Sequence, residues 1–176
     1  MLTFFWRGLV VAFLLLTFFY LIRPNYQELE RKTTIWLNPL YLEKLKKSDG
    51  SKITSIDLGK GSKLLHFWAP WCVPCQQELP KLFDFFKKNN ISLAKLVLVA
   101  INAGQSKVKD FLPPNGTSFF GHLQDLKYYF DSDSIPQSFL FDREGKLLWH
   151  GKGPQNWDSL KMGPVLKILS EAGHEQ

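Results

Sequence analysis

The longest hydrophobic run in the 176-residue chain lies at its beginning: Leu2, Phe4, Phe5 and Trp6, then Leu9 to Ile22 broken only by Thr17. As a helix rising 1.5 Å per residue, this stretch reaches about 33 Å, the thickness of a bilayer core. Arg7 sits near one end, where it can snorkel, and Trp6, Tyr20 and Tyr26 mark the two interfaces. A cleaved signal peptide would leave through small residues, but the exit reads Phe19-Tyr20-Leu21-Ile22-Arg23-Pro24. Residues 1–22 are therefore expected to be an uncleaved transmembrane anchor, residues 23–39 a polar juxtamembrane linker closed by Asn38-Pro39, and residues 40–176 the folded domain.

Within that domain the apolar pattern alternates between strand-like and helix-like stretches. Leu40 to Lys47 fits helical spacing slightly better than a strand, and Asp49-Gly50 turns into a short strand at Lys52-Ile53-Thr54. Leu64 to Trp68 and Leu93 to Ile101 are near-continuous apolar runs, as expected of strands covered on both faces. Between them, Leu79, Leu82, Phe83 and Phe86 recur at helical spacing from Val73 to about Asn89. Ser106 to Leu112 predicts a short helix stopped by Pro113-Pro114, and Leu126 to Phe130 one or two turns; Phe119 to Leu126 is ambiguous. Ile135 to Asp142 and Lys146 to His150 flank the turn Asp142-Arg143-Glu144-Gly145, which predicts a hairpin that adds antiparallel edge strands. Trp157 to about Glu171 is a closing amphipathic helix with Leu160, Val165, Leu166 and Leu169 on its apolar face and Gly163-Pro164 able to delay its start. A helical crossover between buried strands makes them parallel neighbours, so the fold class is α/β, a mixed sheet with helices on both faces.

Charge changes this picture little. The formal net charge of +6 is spread evenly, with seven Lys/Arg against four Asp/Glu in residues 1–50 and fifteen against twelve thereafter. No dense cationic stripe exists to bind phosphates, which argues against a nucleic-acid partner. Charge does not orient the anchor either, since Arg7 lies on one side and Arg23, Arg31 and Lys32 on the other.

The candidate chemistry is concentrated at Phe67-Trp68-Ala69-Pro70-Trp71-Cys72-Val73-Pro74-Cys75, where a strand hands over to a helix N-terminus. Cys72 and Cys75 are the only cysteines, and residues three apart on a helix share a face, so their sulfurs can meet. Unpaired backbone N–H groups and the helix dipole stabilise a thiolate there. This makes Cys72 the attacking sulfur and Cys75, one turn deeper, the resolving one. Pro74 falls in the first turn, where a missing N–H costs nothing. A zinc site would need a second cysteine pair, and the histidines at 66, 122, 150 and 174 show no paired ligand spacing, so no metal is expected. A purely structural disulfide across so short a loop would gain little from closure entropy.

With these residues in place, the sequence resembles the thioredoxin superfamily, specifically the membrane-anchored TlpA/ResA-type thiol-disulfide oxidoreductases. The resemblance rests on Phe67 to Cys75, on Glu78-Leu79-Pro80, and on Ile135-Pro136 before Phe139-Leu140-Phe141-Asp142-Arg143-Glu144-Gly145, and it covers roughly residues 50–172. It implies a thioredoxin-like fold behind the anchor, with Pro136 as the family's cis-proline and the backbone at Ile135 offered to a substrate strand. Pro80 matches the helix-kinking proline. Glu78 matches an acid that assists proton transfer, its alternative being a solvated helix carboxylate. Trp71, beside the pair, joins Glu78 and His66 as a supporting residue. His66 departs from the aspartate or asparagine that relatives carry there: it is either a general base toward Cys75 or, the favoured reading, a core histidine hydrogen-bonded to backbone.

The resemblance implies a monomeric reductant of protein disulfides that needs no cofactor beyond its own cysteine pair. A membrane electron donor would restore the dithiol, and cytochrome c maturation or metal-site cysteines would supply the clients. The expected location is the bacterial inner membrane, with the domain in the periplasm or an equivalent extracytoplasmic space. The alternatives are a disulfide oxidant or isomerase, and a copper metallochaperone.

Overall fold

A computed structural model describes residue 17 and residues 39–53, 61–113 and 118–170 of the chain. The anchor and most of the linker expected from the sequence lie outside the described residues. Among the described residues no helix is long and apolar enough to cross a membrane.

Strand β1 (Lys63–Trp68) is buried at every position, including the polar Lys63 and His66 beside its apolar Leu64, Leu65, Phe67 and Trp68. It pairs in parallel with β2 (Leu96–Ile101), which pairs in parallel with β3 (Ser118–Gly121). On its other side β1 runs antiparallel to β4 (Gln137–Phe141), and β4 runs antiparallel to β5 (Leu147–Lys152). The order is β3-β2-β1-β4-β5, the mixed sheet that the apolar runs predict. One expectation is corrected: only β5 of the hairpin is an edge strand, because β4 lies between β1 and β5 and is buried throughout. Its proline precedes the strand, so no ladder donor is lost.

Alternate residues of β1 enter two cores. Leu64 and Trp68 pack with Cys75, Leu79, Leu82 and Phe86 of helix α2 (Val73–Lys88) and with Val165 and Leu169 of helix α5 (Gly163–Ser170). Leu65 and Phe67 face the opposite side, where they meet Tyr41 of α1 (Pro39–Leu42) and Leu126 and Phe130 of α4 (Leu123–Phe130). A short α3 (Gln105–Val108) adds Val108 to the first core.

Other differences are local. Residues Leu93–Lys95 form a 3₁₀ turn rather than the start of a strand, because the Ser92 hydroxyl accepts from the Ala94 N–H at 3.2 Å and caps that turn. The ambiguous stretch from Phe119 divides into β3 and the beginning of α4. Residues 40–47 combine both readings, a helical turn followed by a bridge from Lys46 to Lys52 and Phe120. The closing helix begins at Gly163, after a 3₁₀ turn at Leu160–Met162, with Pro164 in its first turn. Leu160 consequently leaves the apolar face and is 99% exposed.

In urea unfolding, Leu169→Ala is expected to cost about 2–5 kcal/mol, while Leu160→Ala stays within about 0.5 kcal/mol of wild type.

Candidate active site

Cys72 is the N-cap of α2, with extended backbone angles (φ −93°, ψ 103°). Its Sγ accepts the Cys75 N–H at 3.3 Å, so the sulfur takes the place of the oxygen in an ordinary capping side chain. The two cysteines are joined as a disulfide, with Cα atoms 5.3 Å apart. The helix start is held by the Cys72 N–H to the Ala69 carbonyl and by the Gln76 amide to the Pro70 carbonyl at 2.5 Å. The two cysteines are unequal before solvent: Cys75 is fully buried and Cys72 is 7% exposed, while its chain neighbours Trp71 and Val73 are 57% and 60% exposed.

The opposite wall comes from β4. Because β1 and β4 are antiparallel, with Phe67 opposite Gln137, the residues leaving β1 toward the cysteines meet those entering β4. The Ile135–Pro136 peptide bond there is cis, and the Ile135 carbonyl oxygen lies 3.9 Å from Cys72 Sγ. Cys72, Cys75, Trp71, Ile135 and Pro136 thus come together at one end of the sheet.

Glu78, one turn beyond Cys75, is buried and not a solvated helix carboxylate. One carboxylate oxygen accepts from Trp157 Nε1–H at 2.8 Å and from the Gln155 N–H at 3.1 Å, while the other has no protein partner. Burial raises its pKa above the ordinary 4.5; the two hydrogen bonds and the charge of Lys81 pull the other way. Trp157 and Gln155 are site residues that sequence reasoning missed. No spacing rule links positions 78 and 157, and only the need of a buried carboxylate for donors pointed toward an indole.

His66 sits on the same side of β1 as Leu64 and Trp68, the side that packs against Cys75. It is fully buried, and its Nδ1 is 2.8 Å from the Ser138 hydroxyl on β4 rather than bonded to backbone. Its Nε2 has no protein partner. Burial lowers its pKa to about 3, so the ring is neutral in this environment. Among the described residues no group of three or more His, Cys, Asp or Glu side chains is placed to hold a metal ion.

A family profile described as thioredoxin-like matches residues 62–147. Residues 62–147 are thus a thioredoxin-like region. Among curated relatives, sporulation thiol-disulfide oxidoreductase A of Bacillus subtilis is 34% identical over 109 residues, which is 58% of this chain and 66% of that protein. Thiol-disulfide oxidoreductase ResA of Bacillus thuringiensis is 28% identical over 123 residues, 68% of this chain and 70% of that protein. The chain thus spans about two thirds of the length of these relatives. The solved N-terminal domain of PilB from N. meningitidis shares the fold at 21% identity and a TM-score of 0.58, with 74% of this chain and 96% of that one covered. A thioredoxin family thiol:disulfide interchange protein from Chlorobium tepidum shares it at 22% identity and a TM-score of 0.54, covering 70% and 90%. The thioredoxin-like site is a redox-active disulfide at a helix N-terminus, and its chemistry is thiol–disulfide exchange.

The two buried titratable groups give opposite pH signatures. The folded-state pKa of His66 lies below the unfolded value near 6.5, so the unfolded chain binds the extra proton and stability falls as pH drops from 6.5 toward 3. For Glu78 the folded-state pKa is raised, so the folded chain holds the extra proton and stability falls as pH rises above 4.5. Unfolding titrations are expected to show a weaker loss toward acid in His66→Asn than in wild type. Glu78→Gln is expected to gain on wild type progressively as pH rises from 4 to 7; parallel curves for either pair would contradict these assignments.

Proposed function

We propose that this protein reduces disulfides of protein clients outside the cytoplasm. The observation that carries the reading is the Cys72 sulfur, set as an N-cap on α2, in a residue slightly more exposed than the fully buried Cys75, and lying 3.9 Å from the Ile135 carbonyl. In the reduced protein the Cys72 thiolate attacks one sulfur of a client disulfide. A Cys72–client bond forms, the client disulfide breaks, and the departing client sulfur leaves as a thiolate that takes up a proton. Cys75 then loses its proton and attacks Cys72 Sγ; the internal disulfide forms and the second client sulfur is released. Two electrons have passed from the dithiol to the client.

Glu78, three residues after Cys75 and held by Trp157, is the group proposed to take the Cys75 proton. Its raised pKa brings it closer to a thiol's, which makes the transfer less uphill. His66, neutral and buried, serves here as a structural partner of Ser138 rather than as a base. An extended client segment would lie along Ile135 and Pro136, with Trp71 and Val73 as its apolar surroundings.

The apolar run of residues 1–22 supports an anchor in a bacterial inner membrane, with the domain working as a monomer on the periplasmic or equivalent side. A membrane electron donor would regenerate the dithiol there. Clients with paired cysteines, such as those of cytochrome c maturation or of metal sites, suit this chemistry.

Two measurements test the reading. Cys75→Ser should accumulate a mixed disulfide with a peptide disulfide through Cys72, and Cys72→Ser should not. Equilibration with glutathione should give a potential near thioredoxin's, about −270 mV; a value near the oxidant DsbA's, about −120 mV, would reverse the direction.

A further inference from the structure

Gln137 is fully buried at the first position of β4, directly after Pro136. Its side chain links the loop at Ser132 and Ser134 to His150 on β5, next to the β4–β5 ladder in which Gln137 pairs with Lys152. The amide nitrogen donates to the Ser134 carbonyl at 2.9 Å and also meets the hydroxyls of Ser134, at 3.2 Å, and of Ser132. The amide oxygen accepts from His150 Nε2–H at 2.7 Å, on the edge strand β5. The His150 ring is itself fixed, stacked on Phe139 at a centroid distance of 4.2 Å with the planes 7° apart. The main chain adds one more tie, from the Gly153 N–H to the Pro136 carbonyl at 3.0 Å.

The loop that delivers Ile135 to Cys72 is thus tied to β5 by the buried Gln137 amide, beside the Gly153–Pro136 main-chain bond and the β4–β5 ladder. We propose that Gln137 is a positioning residue for client binding: it fixes the backbone of Ile135 at the place where an extended client peptide must lie for its disulfide to reach Cys72. The inference rests on the thiol–disulfide exchange reading above. A peptide client has to align its main chain with Ile135 as well as its sulfur with Cys72, whereas a small disulfide has to meet only the sulfur. Breaking the tie leaves the buried Ser132 hydroxyl without its Gln137 partner and releases the exposed Ser134 and His150 side chains to water, so the loop loses its anchor and moves. Displacements on the order of 1 Å in a docking group cost up to about a hundredfold in rate.

The test compares the reduced full-length protein with Gln137→Leu on two substrates, an extended peptide carrying a disulfide and glutathione disulfide. The loss of kcat/KM on the peptide should exceed that on glutathione disulfide at least tenfold and should reside in KM. The equilibrium constant with glutathione should stay within twofold. His150→Phe keeps the ring on Phe139 but removes the donor; it should show the same bias, about threefold, and stands in if Gln137→Leu does not fold. Equal losses on both substrates, or none on either, would overturn the positioning role. A wild-type protein inert toward both would instead sink the exchange reading itself, and this role with it.

Discussion

The structure depends on β1 being buried on both faces and paired on both edges. Its parallel partner β2 can be reached only by a crossover, which α2 provides, so the turn out of β1 must also be the start of a helix. Its antiparallel partner β4 begins where β1 ends. Those two pairings bring a helix N-terminus and the Ile135–Pro136 segment to the same end of the sheet. The cysteines occupy the one place where a sulfur can both cap a helix and meet an incoming strand.

Around that place the core leaves polar groups unpaired. Four buried side-chain atoms among the described residues have no protein hydrogen-bond partner, and three belong to His66, Trp68 and Glu78 on β1 and α2. Such atoms cost stability, and a core built for stability alone would hold apolar residues there. Their concentration behind the disulfide fits a site that gives up stability to keep protonation states unusual. Glu78 is kept inclined to hold its proton, and His66 is kept neutral. These are opposite uses of the same burial.

The frame was legible because it is written in short-range patterns. The apolar runs marked β1 and the body of β2, the spacing of Leu79, Leu82 and Phe86 marked α2, and the turn at Gly145 marked the hairpin. Elements failed at their ends, where capping and proline decide: Ser92 delays β2, and Pro164 delays α5 until Leu160 has left the core. The paired cysteines could be named from sequence because the chemistry constrains their spacing, and Pro136 only through the family resemblance. Partners distant along the chain could not. Trp157 lies 79 positions from Glu78, and Ser138 lies 72 from His66, so the charge state of each buried group became readable only once the fold had joined them.

The central claim is that Cys72 alone is the nucleophile, as a thiolate stabilised at the N-terminus of α2 while Cys75 stays shielded. The most direct measurement is the pH dependence of iodoacetamide alkylation of the fully reduced protein, with the modified cysteine located by peptide mass. Reaction confined to Cys72 at neutral pH, with a midpoint below the value of about 8.5 for a free cysteine, is the expected result. Modification of Cys75 first, or a Cys72 midpoint at or above that value, would contradict it.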